Sequence, residues 1–207
     1  MTTLIQQFLR KHPIFTYSTF AEAVSAKGER SAHTIKALLA HHIRHGHVVP
    51  VRRRLFATIP FGADPNTYPI SPYLIAGYAT DDAIIAYHSA LSFYNTVYSL
   101  SYRFTFLTAH QFIPFIFRDE NYEGIKFPSI LLRQEQTNRF VNIEDMQGIN
   151  IRVTSLERTL VDVLDKPLLG GGWEEIWRSL AMIERVKIDK IIEYALLLDK
   201  ATTIAKV

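Results

Sequence analysis

Three groups of residues in this 207-residue chain have types and spacings that could do chemistry. Adjacent carboxylates occur at Asp81–Asp82, Asp119–Glu120, Glu144–Asp145 and Glu174–Glu175. Two or more such groups converging on Mg²⁺ could cut or transfer phosphate esters. Four histidines, His41, His42, His45 and His47, include an i, i+4 pair, His41 and His45, that could hold a transition metal on one helix face. Three consecutive arginines, Arg52, Arg53 and Arg54, could bind phosphate groups. The first two readings are thinly supported. Neighbouring residues on a helix or strand point apart, so a carboxylate dipeptide is no site by itself. The histidines have cationic neighbours and no nearby Asp, Glu or Cys, which favours a surface face that gains charge in mild acid. There is no G-x-x-x-x-G-K-[ST], no G-x-S-x-G and no H-E-x-x-H, and the triple glycine at 170–172 lacks the lysine and hydroxyl of a phosphate cradle. The expectation is a non-enzyme with no catalytic residues, no metal and no cofactor.

The arginines remain, and their setting gives them a use. Residues 1–60 carry nine Lys/Arg against two acids, a formal +7, whereas the remainder carries 14 against 18, a formal −4. A basic module joined to a mildly acidic one points to a polyanion partner for the first. Within it, "TTLIQQFLRKH" places Leu4, Ile5, Phe8 and Leu9 on one helical face. "STFAEAVSAKG" reads as a short helix, with Thr19 and Glu22 at capping-box spacing and Gly28 to end it. "SAHTIKALLAHHIRHG" reads as a third helix with Ser31 as N-cap, an Ile35/Leu38/Leu39/Ile43 stripe and Gly46 as its close. Two strand-like runs, "HVVPV" and "LFATI", then flank the arginines. Helix, helix, turn, helix and hairpin is the order of a winged helix-turn-helix. In that arrangement the helix over 31–45 enters a major groove and offers Arg30, Ser31, His33, Thr34 and Lys36. The hairpin lays Arg52, Arg53 and Arg54 along phosphates, which supplies affinity and salt dependence rather than sequence choice. The same module used only for protein contacts is the alternative.

The proline-rich "PFGADPNTYPISP" predicts a linker at 61–71 between the DNA-binding domain at 1–60 and a second domain at 72–207. "SPYLIAGYATDDAIIAYHSALSFYN" reads as a helix with a Ser71 cap and Pro72 in its first turn. Strand-like runs follow at "YRFTFLTA", "FIPFIF", "GIKFPSILL", "FVNIEDM" and "INIRVT". "TSLERTLVDVLDKP" predicts a helix with Thr154 and Glu157 at capping-box spacing and Leu156, Leu160, Val163 and Leu164 on one face. The glycines at 170–172 read as a flexible break before two further helices. The fold class is α+β: an N-terminal winged helix-turn-helix, then a larger mixed α/β domain with a small sheet and C-terminal helices. The aromatics between Tyr87 and Phe117 could stack bases, but packing is the usual fate of phenylalanine.

The order of a short winged helix, "AYHSALSFYN", strands and "INIRVTSLERTLVDVLDKPLLGGGWEEIWRSL" resembles the AbiEi antitoxins of type IV (abortive infection) toxin–antitoxin systems. "VTSLERTLVDVLDKP…GG…E" is the most specific part. The resemblance implies a phage-defence antitoxin whose winged helix binds inverted repeats in double-stranded DNA of its own promoter and represses it. It implies a second domain that counteracts a nucleotidyltransferase toxin without a stable complex. Ser155, Glu157, Arg158 and Asp162 are the candidates in that domain, set against a structural reading as cap, helix surface and an i, i+4 pair. It further implies helical sequence beyond "ATTIAKV", whereas this chain ends at Val207. The absence of cysteine, of a signal-peptide pattern and of any run near the ~18 apolar residues of a membrane span predicts a cytoplasmic protein away from membranes.

Overall fold

The structure, a computed structural model, describes residues 4–26 and 28–207. Thr2 and Thr3 at the start of the first expected helix, and Lys27 among the cations of the basic half, lie outside them. Ten α-helices and two sheets make a mixed α+β protein among the described residues. No helix among them is long and apolar enough to cross a membrane. The chain divides into two compact units, residues 1–79 with 145–150, and residues 80–144 with 151–207.

In the first unit, α1 (Leu4–Lys11), β1 (Ile14–Thr16), α2 (Tyr17–Ser25) and α3 (Ala32–Arg44) precede a hairpin of β2 (Val48–Arg52) and β3 (Leu55–Thr58). The sheet order is β1-β3-β2, antiparallel, with Ile14 and Val49 both opposite Ala57. Edge placement of β2 accommodates Pro50, which has no N–H for a second neighbour. The helices close on Phe8, Phe15, Phe20, Ile35, Leu39 and Val48, with the Phe8 ring edge-on to Phe15 at 5.2 Å and to Phe20 at 5.7 Å. The expected Thr19 cap is corrected: Thr16 caps α2 by accepting from the Thr19 N–H at 3.2 Å. Strand β1 is too short to show a period, and the capping hydroxyl sits at its end. Ser31 caps α3 as expected, and the chain turns at Gly46 (φ +71°), where a Cβ would meet Pro65 at 3.2 Å.

That proximity explains why 61–71 is no free linker. Pro65 packs against Gly46, Asp64 accepts from the Asn66 N–H and the Thr67 hydroxyl, and the unit boundary falls after Ala79. The helix α4 (Pro72–Gly77) buries Leu74, Ile75 and Ala76. The single helix expected over 71–95 is therefore corrected to α4, a two-residue strand β4 (Ile84–Ile85) and α5 (His88–Phe93).

The second unit is built on a six-stranded sheet with β5 (Arg103–Thr108), β6 (Phe115–Phe117), β7 (Glu120–Lys126), β8 (Val141–Met146) and β9 (Ile149–Thr154), in the order β6-β7-β5-β4-β9-β8. It is mixed: β5–β7 and β4–β9 run parallel, β4–β5 and β6–β7 antiparallel. The expected strand tail "SILL" is instead α6 (Ser129–Arg133), because Pro128 interrupts the strand and serves as the helix N-cap. Helices α7 (Leu156–Asp165), α8 (Trp173–Ala181), α9 (Ile188–Leu198) and α10 (Ala201–Ile204) complete the unit. The glycine break is also corrected. Pro167–Gly170 form a 3₁₀ turn, and Gly171 (φ +91°) lies so close to Glu175 that a Cβ would meet its Cγ at 2.7 Å.

Every residue of α7 from Arg158 to Leu164 is buried. Arg158, 0% exposed, donates from Nη1 to the carbonyls of Thr137 (2.7 Å) and Arg139 (2.8 Å) and from Nε to Asp162 Oδ2 at 3.4 Å. Tyr194 of α9 donates to Asp162 Oδ1 at 2.8 Å. Burial pushes the Asp162 carboxyl up, against the opposing pull of Arg158. Asp162→Ala would leave the buried guanidinium without a counter-charge and is expected to cost about 3–5 kcal/mol in urea unfolding. A loss below about 1 kcal/mol, the range of an exposed pair, would show that the pair stabilises little.

Candidate nucleic-acid interface

Ile35 and Leu39 turn α3 inward, so the opposite face is open. It carries Ala32, His33, Thr34, Lys36, Ala37, Ala40, His41 and Arg44. Three alanines among these keep the face shallow enough for close approach by a large flat or grooved partner. Arg30 is exposed just before the helix. Ser31 and Thr34 are exposed, but their hydroxyls lie 3.0 Å apart and Ser31 Oγ accepts from the Thr34 N–H at 3.2 Å. They are engaged in capping the helix first. The arginine run is divided by the hairpin. Arg53 and Arg54 form its exposed turn, while Arg52 is the half-buried last residue of β2, where burial lowers its pKa. Arg54 takes φ +66°, and its carbonyl accepts from the Tyr17 N–H at 2.9 Å, which pins the turn to the start of α2. Among the described residues, none of Arg30, Lys36, Arg53 and Arg54 is paired with a carboxylate.

The histidines cluster at the end of α3 and the start of β2. The His41 and His45 rings lie 4.0 Å apart, and His45 Nδ1 donates to the His41 carbonyl at 2.7 Å, which makes that nitrogen unavailable to a metal. His42 Nδ1 and His47 Nδ1 lie within hydrogen-bond reach at 3.4 Å. Burial lowers the pKa of both His42 and His47, and the neighbouring imidazoles lower it further. These two rings therefore resist the protonation expected of a solvated face.

The carboxylate pairs are separated by the elements that carry them. Glu174 is exposed and paired with Arg178, whereas Glu175 is buried. Glu120 accepts from the Tyr122 hydroxyl at 2.6 Å, beside the turn at Asp119. Glu144 and Asp145 are successive residues of β8 and so face opposite sides. Asp81, Asp82 and His110 form the one group of three metal-type ligand atoms within 4.8 Å of one another among the described residues. Its geometry is also that of a turn cap, with Asp82 accepting from the Thr108 hydroxyl and the Ala109 N–H, each at 2.6 Å.

In the second unit, the four candidate residues have internal employment. Ser155 caps α7, accepting from the Arg158 N–H at 3.3 Å, in place of the expected Thr154. Thr154 is buried with its hydroxyl 2.7 Å from that of Thr159. Glu157 accepts from the Lys187 N–H at 3.3 Å, and hydrogen bonds hold its carboxyl below its ordinary range despite partial burial. Arg158 and Asp162 are the buried pair described above, so neither faces a partner.

A second buried polar pair was hidden in the sequence. His88 Nε2 lies 3.5 Å from Glu175 Oε1, and Glu175 accepts from the Tyr98 and Ser99 N–H groups and the Ser99 and Ser179 hydroxyls. These donors depress the Glu175 pKa against its burial, while burial lowers that of His88. In the sequence Glu175 stands only in the Glu174–Glu175 dipeptide, and no local spacing joins it to His88.

Neither a protein-family model nor a curated protein matches the sequence. Among solved structures, the chain is similar to the RV2827C protein from Mycobacterium tuberculosis, with a TM-score of 0.54 at 15% identity over 98% of this chain and 77% of that one. That likeness concerns the fold.

Lowered histidine pKa values imply a definite pH response. Stability that requires neutral His42 and His47 is fully present above the ordinary histidine pKa and is lost as pH falls through their depressed values. Thermal melts between pH 7.5 and pH 5 should therefore drop, and the His42→Gln/His47→Gln variant should drop less, with His88 sustaining part of the loss. Identical pH profiles for the two proteins would remove these histidines from the account.

Proposed function

We propose that the first unit is a winged helix-turn-helix that binds double-stranded DNA, and that the chain is an AbiEi-type antitoxin repressing its own toxin–antitoxin promoter. The observation that carries the DNA reading is the pairing of α3, whose open face is shallow and free of acids, with a hairpin turn made of two exposed arginines. The element order and the β1-β3-β2 sheet support it, since a helix followed by a hairpin is the order in which winged modules meet a groove and its backbone. Arg30, His33 and Lys36 are the residues for the groove; Arg53 and Arg54 are those for phosphate. Ser31, Thr34 and Arg52 have smaller parts, the first two through the cap and the third through the strand. Inverted repeats in the promoter would accommodate two copies. The second domain then counteracts a nucleotidyltransferase toxin, and this half rests on the resemblance alone.

Fluorescence anisotropy on the protein's own upstream DNA and on a scrambled duplex, across a salt series, tests the first half. Arg53→Ala/Arg54→Ala should reduce the slope of log K against log salt by about 2, because each phosphate that a cation neutralises adds near 0.9 to it. Arg52→Ala should change the slope far less and act mainly on stability. No binding by folded protein, or an equal slope in the double variant, would sink the DNA reading. The second half is tested by co-expression with a nucleotidyltransferase encoded beside it: rescue of growth is expected, and undiminished toxicity would count against the antitoxin role.

A further inference from the structure

The first unit also holds a cavity of about 390 Å³ that the DNA reading does not use. Its walls include Leu9 of α1, Ile59 just past β3, and the rings of Phe61 and Tyr68 from the connection beyond it. Arg10, with Gln6, Thr58, Gln147 and the Tyr68 hydroxyl, brings the polar groups; Arg10 is the one cation and none of the lining residues is acidic. Arg10 is exposed and has no carboxylate partner among the described residues. A pocket of this size, mostly apolar with a few directional polar groups, is the usual form of a small-molecule site. A lone guanidinium at an apolar wall has a specific complement, because its planar fork matches a carboxylate through two parallel hydrogen bonds. The two aromatic rings suit a flat body. Phe61 also leans on His47, with ring centroids 4.3 Å apart, so a ligand against Phe61 would touch the wall that backs the end of α3.

We propose that this cavity binds a small organic carboxylate with a flat apolar body of one or two rings, its carboxylate on Arg10. The proposal stands apart from DNA binding, since its readout is the ligand itself. The test is a titration of the full isotope-labelled chain, followed by amide NMR, with benzoate, phenylacetate, indole-3-acetate and 1-naphthoate, each beside its neutral amide. At least one acid should shift resonances of Arg10, Ile59, Phe61 and Gln147, and its amide should bind about tenfold more weakly. Arg10→Gln should bring the acid down to the amide's affinity. Lys11→Gln, a neighbouring charge that does not line the cavity, should leave it unchanged and so separates the site from general anion attraction. No acid shifting these resonances at millimolar concentration would overturn the proposal. So would equal binding of acid and amide, or equal losses in the two variants.

Discussion

A guanidinium with no access to water sets the terms for the second unit. Arg158 is held by two carbonyls of the 137–139 segment, by Asp162 one turn along α7, and by the Tyr194 ring 5.2 Å away on α9. A charge of this kind is costly to bury unless every partner is in place. The loop before β8, the sheet-side helix α7 and the late helix α9 must therefore arrive together. Glu175 makes the same demand on another set of elements: it binds the backbone at Tyr98 and Ser99, and its side chain leaves no room for a Cβ at Gly171. The two clusters account for the segment "VTSLERTLVDVLDKP…GG…E". Its buried polar groups have fixed partners within the unit and hold its elements together.

This explains which parts of the molecule were legible in the sequence. Helices declared by local signals were readable: Ser31 and Gly46 bound α3, and an apolar period with a terminal proline marks α7. Features defined by remote partners were not. Ile84 and Ile85 are a strand only because β5 and β9 lie on either side, and in isolation "DDAIIAYHSA" continues a helical pattern. The glycines at 170–172 look flexible until Glu175 and Val163 are set against them. Arg158 and Asp162 at i, i+4 look like a surface pair until the helix is seen to be buried on all sides. In the candidate interface the residue types were legible, and their division of labour was not. One residue of strand register separates Arg52, half-buried, from Arg53 and Arg54, which are open.

The two units place their charged groups in opposite ways. In the second, Arg158, Asp162 and Glu175 are turned inward against polar partners, with the Arg158 Nη2 alone among their buried nitrogens and oxygens left without one. In the first, Arg30, Lys36, Arg53 and Arg54 are exposed without carboxylate partners, in a stretch that contains no acid from Arg30 to Gly62. Exposed cations without counter-charges repel one another and add nothing to folding. A polyanion relieves that repulsion by replacing its own counterions with these side chains.

Arg54 sharpens the point. Its backbone must turn at φ +66° so that its carbonyl can receive the Tyr17 N–H. For a side-chain-bearing residue this region costs roughly 1–2 kcal/mol, and Gly or Asn would meet the same backbone need at less cost. Among the other non-glycine residues at positive φ, Tyr87 is buried in the core and the Phe140 ring packs on Tyr194, whereas Arg118, Glu135, Gln147 and Asp199 are exposed. The Arg54 side chain is exposed in the same way. On the DNA reading proposed above, the turn would present the Arg54 guanidinium to a phosphate, which its planar fork fits through two parallel hydrogen bonds.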